Sequence, residues 1–299
     1  MKRFSIYIAL LLALCSCKEQ YTTYSDAEYV MFADSISTNL VQRDNSRFTV
    51  AVASTVARNY DRTFGVEVVD AGSNAIEGKH YRLLTSSVTI PAGKLAADVE
   101  VEGIYDNIGA TDSLGFNLRL VMAEQLKWDL YKNSDMTKVV MYKSCPFDRN
   151  AFTGYAVLSS LLLRDYPGEN ASYQKVVYTE AHPTEEDMII IRDAFYNGYD
   201  VTLTFHGDDP AEPIITMDAD QVLSDEASVF GQILGDNHIL GDDSPYNASY
   251  FNSCQRFAVL WLHVYVENLG TTIGSVGEFY NVLEWISDEE AERLKREGF

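Results

Sequence analysis

Ser87-Val88-Thr89-Ile90-Pro91-Ala92-Gly93, followed shortly by Asp98-Val99-Glu100-Val101-Glu102, decides the fold of this chain. In the second segment Val99 and Val101 oppose Asp98, Glu100 and Glu102, a period of two. That period puts apolar side chains on one face of a strand and acids on the other, which is the pattern of a half-buried antiparallel strand. Pro91-Ala92-Gly93 ends one strand and launches its neighbour. The same alternation recurs outward from this point. Phe48, Val50 and Val52 share a face, as do Phe64, Val66 and Val68, and Leu114, Phe116, Leu118 and Leu120. Turns such as Asp70-Ala71-Gly72 punctuate the run at intervals suited to a sandwich.

Glu77-Gly78-Lys79-His80-Tyr81, then Ser87 to Gly93, then Asp98 to Val101 resembles the Calx-beta pattern of Gly-x-Asp-Tyr, Val-Thr-Ile-Pro-Ala-Gly and an alternating strand. The resemblance covers residues 29–143 and implies an immunoglobulin-like sandwich. His80 stands where that pattern has Asp. Some Calx-beta domains hold calcium with clustered carboxylates; Asp106 and Asp112 are the nearest equivalents here, and no convergent set of six to eight oxygens is visible. The chain also resembles Bacteroidota envelope lipoproteins of unknown function, in which a domain of this kind precedes an uncharacterised β domain.

The N-terminus carries its own signal. Lys2 and Arg3 precede an apolar run, Ile6 to Leu14, and then Cys15-Ser16-Cys17. The run is far short of the ~20 residues that span a bilayer, so residues 1–16 read as a removed signal peptide. The stretch resembles a lipobox, which implies acylation of Cys17 and a lipidated tether over residues 17–28. Acyl chains contribute ~0.8 kcal/mol per buried CH₂, so several together anchor a protein firmly. Lys18-Glu19-Gln20 partly resembles an export tag to the outer face of the outer membrane; Gln20 departs from its acidic position. The expected location is therefore the outer membrane, at the cell surface or on the periplasmic face.

The formal net charge is −21. Loss of Lys2 and Arg3 with the signal leaves the mature chain at −23. Such a chain repels nucleic acid, which demands basic patches, and meets the membrane only through its lipid. Hydrophobic residues make up 46% of the sequence, enough for real cores. The abundance of Tyr, Val, Thr and Phe favours strands.

Lys143 to Asn150 reads as a linker, and residues 144–299 as a second β domain. Phe152-Thr153-Gly154-Tyr155 opens it. Strands are expected at Tyr173–Glu180, Asp187–Asp193, Tyr199–His206 and Pro213–Asp218, a meander with a weaker likeness to lipocalin-like barrels. The rest of Asp208–Gly241 reads as irregular. Ser287 and Glu290 predict a capping box for a short C-terminal helix, with Glu289–Arg293 and Glu292–Arg296 as i,i+4 pairs. Cys145 and Cys254 remain after Cys17, both in this second domain. They pair in an oxidising envelope, or remain two buried thiols.

No His-Glu-x-x-His, Gly-x-Ser-x-Gly or phosphate-loop motif occurs, so no catalytic residue, metal or cofactor is assigned. Phe257 to Tyr265 is the stretch with binding character. Ala258, Leu260, Leu262 and Val264 form an aliphatic face; Phe257, Val259, Trp261, His263 and Tyr265 form an aromatic one. A strand with two apolar faces is ordinarily buried on both. Alternatively the aromatic face binds a glycan, with Trp261, His263 and Tyr265 extended by Tyr246 and Tyr250. Asp34-Ser35-Ile36 and Asp112-Ser113-Leu114 resemble an O-glycosylation acceptor, at Ser35 and Ser113. The expectation is a non-catalytic, lipid-anchored protein that captures a glycan or an envelope-protein partner. A structural or adhesive surface component is the alternative. A hydrolase using scattered carboxylates is the third class, and would need a deep cleft with a carboxylate of raised pKa.

Overall fold

The computed structural model describes residues 27–128, 134–231 and 233–299. The expected signal peptide, Cys17 and most of the expected tether fall outside them.

The N-terminal strands are β1 (Val30–Phe32), β2 (Ile36–Val41), β3 (Arg47–Ser54), β4 (Arg62–Val69), β5 (Tyr81–Leu83), β6 (Ser87–Ile90), β7 (Ala96–Gly103), β8 (Leu114–Val121) and β9 (Met136–Lys143). They form two sheets, β1-β3-β7-β5 and β2-β9-β8-β4-β6. Every pairing is antiparallel except β2 with β9. The alternating residues meet between the sheets: Val50, Val52, Phe64, Val66, Val99, Val101, Phe116, Leu118 and Leu120 are all buried. Tyr81 is buried with them and stacks on Phe116 at a centroid distance of 3.7 Å. Burial, then the nearby charges of Glu77 and Asp70, push its phenol up to about 12.

His80 is also buried. Its Nδ1 accepts from the Ile76 N–H at 3.0 Å, the task a carboxylate would perform. Asp106 pairs with Arg43 at 3.1 Å, and Asp112 accepts from the Gly109 N–H, so the two acids singled out for calcium serve separate local contacts. Among the described residues no group of three or more His, Cys, Asp or Glu converges as a metal site. Where the chain enters the sandwich, the buried Arg62 guanidinium is held by Glu28 at 2.6 Å and by the carbonyls of Val56 and Lys94. Burial alone would raise the Glu28 carboxyl, but hydrogen bonds from Arg58 and Arg62 outweigh it and hold the group low.

The second domain contains β10 (Gly154–Ser160), β11 (Gln174–Ala181), β12 (Met188–Arg192), β13 (Val201–His206), β14 (Ile214–Thr216), β15 (Gln221–Ser224), β16 (Ile239–Asp243), β17 (Ser249–Asn252), β18 (Phe257–Asn268) and β19 (Thr271–Trp285). The order β18-β17-β14-β13-β12-β11-β10-β19 closes through the β18–β19 pairing, giving an eight-stranded antiparallel barrel. β15 and β16 branch from the far half of β18. They lie in the stretch expected to be irregular. Their few residues pair across a shifted register, and the side chain of Gln221, acting as a substitute strand neighbour, bonds both backbone groups of Thr202.

The barrel interior is filled. Leu158, Ile189, Ile191, Leu203, Phe205, Leu260, Leu262 and Leu283 are buried in one cluster. The likeness to ligand-holding lipocalin barrels therefore stops at strand number and closure. The linker residue Phe147 packs into the barrel mouth against Phe152, Phe205 and Phe251, at 5.4–5.7 Å between centroids. A Cβ on Gly207 would come within 2.4 Å of it, so glycine admits this ring.

Cys145 and Cys254 form a disulfide. Cys145 is not a barrel residue. It packs against the sandwich core and receives a hydrogen bond from the Tyr105 hydroxyl. The bridge thus ties the sandwich end of the linker to the β17–β18 turn, where Gln255 also donates to the carbonyl of Ala110.

The C-terminal helix, Asp288–Glu297, is capped by Ser287, which accepts from the Glu290 N–H. Only half of the expected capping box forms, because the Glu290 carboxylate turns to Arg293. The expected i,i+4 pairs are replaced as well: Arg293 takes Glu290 and Glu297, and Glu292 takes Lys295.

Candidate functional site: an aromatic strip on the barrel

β18 keeps the division its sequence implies. Ala258, Leu260, Leu262 and Val264 point into the barrel and are buried. The opposite face looks outward and is unevenly covered: Phe257, Trp261 and His263 are half-buried, whereas Val259 and Tyr265 are buried. β19 runs beside it and places Tyr280 opposite Trp261 and Glu278 opposite His263. On the other flank β16 places Asp242 opposite His263, and β17 places Tyr250 opposite Val259. Cross-strand neighbours on one face lie about 5 Å apart, so these side chains form one strip across four strands.

The strip has an aromatic end and a polar end. Trp261 and Tyr280 meet edge to face at 5.0 Å, and Tyr250 meets Phe257 at 6.3 Å. In the next row His263 Nε2 lies 3.0 Å from the Ser275 hydroxyl. Oε2 of Glu278 is buried and has no hydrogen-bond partner. A buried acceptor left unpaired is costly, and its burial keeps this oxygen out of reach of a ligand lying on the strip.

Two members of the expected set stand apart. Tyr265 is buried, and its hydroxyl donates to Asp220 at 2.7 Å. Burial first, and then that carboxylate, hold its phenol well above the usual value. With its hydroxyl engaged by Asp220 and its ring buried, Tyr265 supports His263 by ring stacking at 5.1 Å and offers nothing to a ligand. Tyr246 is 81% exposed on the β16–β17 loop. Tyr280, Glu278 and Asp242 were absent from the sequence-derived set. The alternation of Glu278, Tyr280, Val282 and Glu284 against Phe279, Leu283 and Trp285 was the signal that could have found the first two. Asp242 is placed only by the β16–β18 register.

A cleft of about 840 Å³ lies between the sandwich and the barrel, lined by Leu40, Tyr142, Asp187, His206, Asp208 and Gln255 among others. Sequence did not reveal it. Asp243, a carboxylate raised chiefly by burial, lines no part of it, and its Oδ1 is occupied by the Met217 N–H. Ser35 and Ser113 are both exposed; the Ser113 hydroxyl lies 3.4 Å from that of Tyr142.

Sandwich, closed barrel and external strip together define a mostly β protein of two unlike domains. The chain belongs to the family described as "Domain of unknown function (DUF4984)", which matches residues 130–297. No curated protein matches it. Among solved structures it is similar to the apo-form Calx CBD1 domain, at 18% identity over 40% of this chain and 98% of that one, with a TM-score of 0.32. A protein of unknown function from Bacteroides ovatus is 13% identical over 89% of this chain and 91% of its own, at a TM-score of 0.35. A two-domain protein of unknown function from Bacteroides fragilis is 9% identical over 93% and 92%, at 0.33.

Proposed function

We propose that this chain is a non-catalytic, lipid-anchored envelope protein that binds a glycan on the outer strip of its barrel. The observation that carries the reading is the half-buried Trp261–Tyr280 pair on the outer face of the barrel. Aromatic faces left part-open to solvent cover the C–H face of a sugar ring. The acidic chain repels anionic polysaccharides, so the ligand class is a neutral or amino-bearing glycan. The anchor at Cys17 would hold the protein at the outer membrane, on the cell surface or the periplasmic face.

The test is a glycan array followed by calorimetry with the best oligosaccharide. Trp261→Ala should weaken binding at least tenfold, and Tyr280→Ala should weaken it too, while Tyr246→Ala changes little. An array without a hit, or a hit indifferent to Trp261→Ala, defeats the reading. Mass spectrometry of the mature N-terminus tests the anchor separately: Cys17 should carry acyl chains.

A further inference from the structure

The strands at sheet edges in this protein are protected in several ways. β1 and β5 have 3 residues each, and β6 and β15 have 4 each. The barrel closes on itself. The part of β19 that overhangs β10 has an open edge, but register shifts leave Ile273 and Val276 as bulges in it, and Gly274 and Gly277 interrupt it. Short strands, closure and bulges are the usual ways to stop one sheet from pairing with another.

β2 lacks all of them. It ends its sheet, runs 6 residues and pairs with β9 at every position without a shift. Its sequence, Ile36-Ser37-Thr38-Asn39-Leu40-Val41, holds no charge and no proline. The bonds that bracket the ladder, Lys138 N–H to the Ser35 carbonyl and Ser144 N–H to the Val41 carbonyl, fix which groups face inward. In a parallel ladder alternate residues bond the neighbour, so Ser37, Asn39 and Val41 face β9. The N–H and C=O groups of Ile36, Thr38 and Leu40 therefore point away from the sheet. Among the described residues no hydrogen bond reaches them. Their side chains are exposed too, Ile36 by 58% and Leu40 by 37%.

We infer that this edge pairs with the same edge of a second copy of the chain, antiparallel and about a twofold axis through Thr38. The outward residues are symmetric about Thr38, which makes the edge complementary to itself. In that register Ile36 lies opposite Leu40 of the second copy, Thr38 opposite Thr38, and Leu40 opposite Ile36. Each is a hydrogen-bonded pair exchanging two backbone bonds. Both exposed aliphatic side chains gain an apolar neighbour, and threonine opposite threonine is a favourable cross-strand pair. Asp34 falls opposite Gln42, so no acid meets an acid along the seam. A single patch repeated on both partners gives a closed dimer rather than a fibre. This inference stands independently of glycan binding, since the strip lies on the other domain.

The experiment is sedimentation velocity on the unlipidated chain from residue 18 onward, which keeps every described residue. The wild-type chain should form a dimer whose population rises with protein concentration. It should also rise with salt, because screening relieves repulsion between two strongly acidic copies. Ile36→Lys with Leu40→Lys should give a monomer with an unchanged circular dichroism spectrum, since both side chains sit outside the core. Under mild oxidation Thr38→Cys should crosslink to its own counterpart at the axis, and Ile36→Cys alone should not. A wild-type chain that stays monomeric at high concentration and high salt overturns the inference. So does a dimer that survives the double lysine variant or fails to crosslink through Thr38→Cys.

Discussion

His80 shows how one substitution changes the physics of a site while keeping its geometry. The ring accepts from the Ile76 N–H through Nδ1, which requires a neutral imidazole. Burial, aided by Lys79, lowers its pKa below the ordinary 6.5. The unfolded chain protonates at the ordinary value, and the folded one resists. Stability from this residue is therefore complete above about pH 6.5 and drains away as the pH falls through the folded value. Chemical denaturation across pH 5–8 should show this loss, and His80→Asp should abolish it, because a carboxylate accepts the same N–H while charged. The alternating valines and leucines of the sandwich were legible in sequence because period two leaves one answer for which face is buried. The burial of Arg62 was not, since its partners Glu28, Val56 and Lys94 are supplied by three separate stretches of chain.

Elements were readable where a single local force sets them. β18 could be read from its own residues, since the alternate positions Ala258, Leu260, Leu262 and Val264 are all apolar and all face the barrel interior. β15 and β16 could not, because each is short and draws its stability from neighbours remote in sequence. The same contrast runs through the C-terminal helix. Its position followed from the Ser287 cap, whereas its ion pairs depend on rotamers that sequence leaves open. Those exposed pairs are worth little individually, but the cap is not: Ser287→Ala should cost roughly 1 kcal/mol. Lys295 of this helix lies over the Tyr155 ring at 3.8 Å, so equilibrium denaturation of Ser287→Ala beside Tyr155→Leu should separate the loss of the cap from the loss of this contact. The aromatic strip was half legible for a related reason. The aromatic face of β18 was visible, but which strands flank it is a matter of register.

At the scale of the molecule, the disulfide joins two bodies that sequence had placed on one side of a boundary. It closes a loop with a sequence separation of 109, for which the chain-entropy account gives about 4 to 5 kcal/mol. Cys145→Ser with Cys254→Ser should lower the unfolding free energy by up to that amount in equilibrium denaturation. Reductant should then lose its effect on the midpoint. The cleft above the bridge went unseen in the sequence because it belongs to neither domain alone.

The linker's aromatic ring in the barrel mouth governs how this protein can be divided. A fragment begun at Ala151 would lack the stopper that Phe147 provides, leaving Phe205 and Phe251 wetted and Cys254 an orphan thiol. The eight strands would be whole and their lid missing. Any excision meant to stand by itself must start upstream of Ser144, taking with it a few residues that look, in the sequence, like mere string.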